Sequence, residues 1–128
     1  MFKYILLITF ALGIISCSST SRTGSLAGRR TDLITAAEIS TTSTSSAYDL
    51  IRNLRPNWLK GRGQKSLYDQ SLSYPLVYLN GYKFGDLDSL RGLSSSDITV
   101  IRFLNAIDAA AKFGLNHVSG AILITVSF

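Results

Sequence analysis

The sequence predicts an α+β fold, a small mixed β-sheet carrying two or three short helices. Three observations lead there. An Asn80-Gly81 dipeptide sits between two short apolar arms, the strongest short hairpin signal a sequence offers. Two further β-branched or apolar runs, ITVIRFL (98–104) and AILITV (121–126), have strand length. Ala47, Leu50, Ile51 and Leu54 then repeat at the spacing of one helix face.

Taken in order, the chain opens with a basic Lys3, an uncharged run of eleven residues (ILLITFALGII, 5–15) and a small residue before Cys17. This is the plan of a secretory signal, and the run falls short of the roughly 20 apolar residues of a spanning helix. Residues 1–16 are read as the signal peptide, 17–32 (Ser/Thr/Gly/Arg-rich) as a flexible tether, and 33–128 as one domain. Without the signal, which holds one lysine and no acid, 12 basic and 8 acidic residues remain.

Thr35 and Glu38 have capping-box form and predict a helical turn or a strand-to-helix start. STTSTSS (40–46) reads as a loop, and Ser46 with Asp49 as a second box opening the helix at 47–54. Pro56 drives Arg55 out of helical geometry and stops it. Trp58 and Leu59 are expected to pack beneath, before a turn at Gly61-Arg62-Gly63. Leu76 to Leu79 predicts a strand, Asn80-Gly81 a type I′ turn and residues 82–84 the return arm. Leu87, Leu90 and Leu93 suggest a short helix, with Asp86 and Asp88 capping its start. A helix is expected at 108–113, closed by Gly114, and the unbroken run 121–126 predicts a central strand. Tyr74, Tyr78, Tyr82 and Phe84 gather around the hairpin; filling the core is the commoner fate of such residues, an exposed protein-binding patch the other.

Ile14-Ile15-Ser16-Cys17 resembles a bacterial lipobox, which implies that Cys17 carries the lipid and becomes the mature N-terminus. Cys17 is the only cysteine, so no internal disulfide competes for it. Two or three acyl chains anchor stably where one binds marginally. No aspartate follows Cys17 to suggest inner-membrane retention, so the expected location is the bacterial outer membrane.

Residues 97–128, DITVIRFLNAIDAAAKFGLNHVSGAILITVSF, resemble the end of the plug domain of TonB-dependent outer-membrane receptors. There an Ile-rich strand leads to a short Ala-rich helix ending in Tyr/Phe-Gly, then to polar residues, a glycine and an apolar strand. Upstream, Leu-Val-Tyr-Leu-Asn80-Gly81 is similar to the plug strand ending in Asp-Gly, and Arg62-Gly63 to its Arg-Gly turn, so the likeness covers about residues 33–126. No barrel is expected beyond Phe128, and the loop between Gly63 and Leu76 is shorter than in receptors. The resemblance therefore implies a free-standing plug-like lipoprotein, with an interaction role and not transport.

Chemistry is sparse in the chain. His117 is the single histidine, no serine lies in a Gly-x-Ser-x-Gly elbow, and no phosphate loop follows a strand. The expectation is a non-enzyme with no metal and no cofactor. Another envelope protein is the expected partner, bound through Arg62, Gly63, Asn80, Gly81 and Tyr82. The alternative rests on Arg52, Arg55, Lys60, Arg62 and Lys65, five cations and no acid in one short stretch. They suit the phosphates of anionic lipid or lipopolysaccharide. Export removes nucleic acid from consideration.

Overall fold

A computed structural model describes residues 31–64, 67–68 and 73–127. The signal peptide, Cys17, nearly all of the tether and Lys65 lie outside the described residues. Strands β1 (Leu33–Ile34), β2 (Leu76–Leu79), β3 (Tyr82–Gly85), β4 (Ile98–Leu104) and β5 (Ala121–Val126) form one sheet in the order β1-β4-β5-β2-β3. β5 pairs parallel with β2 and antiparallel with β4, and the outer pairs β1–β4 and β2–β3 are antiparallel. With the helices α1 (Ala36–Thr41), α2 (Ala47–Leu54) and α3 (Ala106–Phe113), the fold is α+β around a small mixed sheet.

Local chemistry accounts for the helix starts. The Thr35 N–H donates to Glu38 Oε2 at 2.9 Å while the Glu38 N–H donates to Thr35 Oγ1 at 3.4 Å, the two halves of the capping box. Ser46 caps α2 by accepting the Asp49 N–H at 3.2 Å, and Ala47, Leu50 and Ile51 are fully buried along its inner face. Helix α2 ends at Leu54 ahead of Pro56, which opens a 3-10 turn (Pro56–Leu59). Trp58 stacks on Phe103 of β4 from that turn, ring centroids 5.6 Å apart.

Alternation along the strands gives the sheet two covered faces. Val77, Ile101, Phe103, Ile122 and Ile124 join Leu50, Ile51, Trp58 and Leu90 in the main core. Tyr78, Ala121 and Leu123 pack on the other face with Ala109 and Phe113 of α3. Strand β5 contributes to both, which is why its sequence is an unbroken apolar run. Asn80 and Gly81 have φ of 49° and 89°, as a two-residue type I′ hairpin requires.

Several expectations are corrected. Helix α1 runs on to Thr41, so the loop starts later than Ser40. Helix α3 begins at Ala106, because Asn105 accepts the Asp108 N–H at 2.9 Å and is the true cap. The leucine-rich segment is a 3-10 turn (Leu87–Gly92), and Asp86 makes no side-chain cap; its carbonyl accepts the Ser89 N–H at 3.0 Å and also the Ser89 hydroxyl. Of the four aromatics near the hairpin only Tyr78 is buried, whereas Tyr74, Tyr82 and Phe84 are 50%, 82% and 43% exposed. Only Tyr78 lies on an interior strand beneath a helix; Tyr82 and Phe84 belong to the edge strand.

Candidate functional site

The residues expected to bind a partner fall into two places. Asn80, Gly81 and Tyr82 lie where β2 turns into β3, and the Asn80 side-chain oxygen accepts the Val126 N–H at 3.1 Å, tying the turn to β5. Arg62 and Gly63 lie at the other end of β2. There the Arg62 N–H donates to the Ser73 carbonyl at 2.8 Å, and the Ser73 N–H to the Gly63 carbonyl at 3.0 Å. Ser119, 3% exposed, locks this corner. Its hydroxyl accepts the Arg62 N–H at 2.9 Å and lies against the carbonyls of Arg62 and Ser73. The four residues of β2, about 13 Å of strand, separate the two groups.

The basic stretch is likewise not one free surface. Arg52 pairs with Asp49 at 3.0 Å within α2. Arg55 pairs with Glu38 at 2.9 Å and donates to the carbonyls of Leu54 and Leu33, which joins α2 to β1 and α1. Lys60 and Arg62 are exposed, and Lys65 lies outside the described residues.

Beside the Arg62 corner the structure opens a cleft of about 630 Å³. Tyr48 of α2, Ser73 and Tyr74 ahead of β2, Asp86 and Asp88 beyond β3, and Asn116 from the loop after α3 line it, with leucines and a valine between. That volume falls within the ordinary range for a ligand site. No family model matches the chain, and neither does any curated protein or solved structure.

The loop that brings Asn116 to the cleft is held from behind. His117, 7% exposed, faces a carbonyl on one side and a phenol on the other: Nδ1 lies 2.8 Å from the Gly114 oxygen and Nε2 2.8 Å from Tyr78 Oη. A carbonyl only accepts, so Nδ1 carries the hydrogen, and in the neutral ring Nε2 then accepts the Tyr78 O–H. Burial raises the Tyr78 pKa above its ordinary 10.0, which keeps that phenol a donor. Phe113 stacks on Tyr78 at a centroid distance of 3.7 Å. The lone histidine is thus a structural clasp, its two ring nitrogens already engaged. Asn116 itself has φ of 80°, a left-handed conformation that asparagine tolerates.

Among the described residues no three His, Cys, Asp or Glu side chains stand together as a metal site, and no helix is long and apolar enough to cross a membrane. The cleft is also the feature that sequence reasoning missed. Its carboxylates read as caps, and Ser73, Tyr74 and Asn116 come together only through the crossing of β2 with the loop after α3. The one available signal was Asp86-Leu-Asp88 directly after an aromatic strand.

Proposed function

We propose that this chain is a lipid-anchored protein of the bacterial outer membrane whose plug-like domain serves as a non-catalytic protein-interaction module. The observation that supports the module most is the exposure of three large aromatic side chains, Tyr74, Tyr82 and Phe84, on or beside a hairpin whose turn is pinned to β5. Aromatic side chains on a rigid support lose little freedom on binding and concentrate interface energy. The partner is another envelope protein. Anchoring rests on Cys17, and the plug resemblance on the order of strand, helix, glycine and strand through β4, α3 and β5.

The basic surface is the weaker reading, because Arg52 and Arg55 already hold carboxylates. The test is site-specific crosslinking. A photoreactive amino acid replaces Tyr82 or Phe84 in the full-length protein in its native envelope, with exposed Thr99 of β4 as the control position. One discrete crosslinked protein from Tyr82 and Phe84 but not from Thr99 is expected. No discrete product from either hairpin position would overturn the interaction module.

A further inference from the structure

The geometry points to the cleft at the head of β2 as a receptor for an arginine side chain of the partner protein, with Asp86 meeting its guanidinium and Tyr74 stacking on it. This deepens the interaction reading and rests on it.

Charge argues first. The chain has a formal net charge of +5, yet the only charged residues in the cleft lining are Asp86 and Asp88, and Asp86 has no cation beside it among the described residues. The ring face of a tyrosine is also negative, so the open Tyr74 adds to the preference for a cation. A guanidinium is the cation that fits both, since it is planar for stacking and forked for a carboxylate.

The molecule already displays this recognition once. The guanidinium carbon of its own Arg91 lies 3.9 Å from the centre of the Tyr48 ring, and Arg91 Nε lies 3.6 Å from Asp88 Oδ1. One tyrosine and one aspartate of the cleft are thereby engaged. The second pair is open. Asp86 caps no helix, and among the described residues its carboxylate is in no ion pair. Tyr74 is half exposed and stacks on no ring among the described residues.

Acceptors for the remaining guanidinium hydrogens are close by. Ser73, 8% exposed, and Asn116 both line the cleft, and their side chains carry oxygens able to accept. Gly85 alone separates Asp86 from Phe84, so a polypeptide lying along β3 passes the mouth of the cleft. That continuity makes a partner's side chain the occupant.

The probe is a blocked Gly-Arg-Gly tripeptide titrated into the full-length protein in detergent micelles and followed by amide shifts. Comparison peptides carry citrulline, equal in shape and uncharged, or lysine. Saturable shifts at Tyr74, Asp86 and Asn116, with Asn80 unmoved, are expected for the arginine peptide. Citrulline should bind at least about tenfold more weakly, and lysine in between. Asp86→Asn should weaken arginine binding about tenfold and Tyr74→Ala about threefold. Both residues are exposed, so a wild-type melting curve checks that each variant folds. Equal binding of arginine and citrulline, or unchanged affinity in Asp86→Asn, would overturn the assignment. Crosslinks from Tyr82 that persist while the arginine peptide fails would sink the cleft and leave the interaction module standing; loss of both would sink both.

Discussion

Glu38 shows how one side chain can hold two elements. Its carboxylate receives the Thr35 N–H at 2.9 Å and Arg55 Nη2 at 2.9 Å, so the start of α1 and the end of α2 share one anion. The Thr35 N–H foremost lowers the Glu38 pKa, burial pushes it back up, and Arg55 lowers it further, so that it stays below its ordinary 4.5. A carboxyl whose pKa is depressed by folding contributes stability that is complete above its unfolded value and lost as the pH falls through the folded one. Glu38→Gln should therefore cost about 0.5–1 kcal/mol at pH 7, a modest figure because solvent screens a pair whose acid is about a third exposed. The difference should shrink progressively as the pH of the melts is taken below 4.5. A gap that stays constant as the pH falls would show that shape and not charge is at stake. Two glycines allow a second comparison, because both have positive φ but unlike surroundings. A Cβ on Gly120, at φ 87°, would fall 2.2 Å from the Leu104 carbonyl oxygen, whereas one on Gly81, at φ 89°, meets nothing within 4 Å. Gly81→Ala should cost about 1 kcal/mol, the left-handed backbone alone. Gly120→Ala must also move β4 and should cost about 3 kcal/mol or more, read from denaturant melts. Equal losses would mean that β4 yields freely at Leu104.

At the scale of elements, the loop after α3 depends on a strand beneath it. Tyr78→Phe keeps the stack on Phe113 but removes the hydroxyl donated to His117, leaving a buried ring nitrogen without its hydrogen. A loss of about 1–2 kcal/mol is expected, with amide shifts concentrated at residues 114–118 and small changes in α2. Shifts spread evenly over both faces of the sheet would instead mean that the phenol's bulk matters and the hydrogen bond does not. The elements that could be read in advance were those whose signal is local. The α2 stripe, the Asn80-Gly81 turn, the β4 run and the Thr35 box all carry their reason within a few residues. What escaped has its reason elsewhere in the chain. Strand β1 spans two residues, too few for any period, and exists because β4 offers it an edge at Ile101 and Arg102. Asn105 as a cap was hidden by Asp108, which also looks like a helix opener. Tyr74 and Tyr78 look alike in sequence, and only the position of α3 decides that one is buried and the other exposed. The cleft is the extreme case, since five separate segments wall it.

For the whole molecule, the fold of the domain and the proposed membrane anchoring are separate problems in physics. The described domain closes its core on both faces of the sheet, and no described helix is long and apolar enough to span a bilayer, so the proposed anchoring rests on Cys17, with the basic surface as the competing source. The two sources respond differently to salt. Acyl chains on Cys17 would hold through apolar transfer, roughly 0.8 kcal/mol per buried methylene, which salt does not weaken. Arg62, Lys60 and the rest of the basic stretch would hold through phosphates, and at 1 M salt the screening length falls to about 3 Å. The expected outcome is that the wild-type protein stays in the membrane pellet through a 1 M salt wash, while Cys17→Ser appears in the soluble fraction at low and high salt alike and takes up no radioactive palmitate. A Cys17→Ser protein that stays bound at low salt and leaves at 1 M would transfer the anchoring role to the basic surface. One that stays bound at both would mean that neither the lipid nor those cations is the anchor.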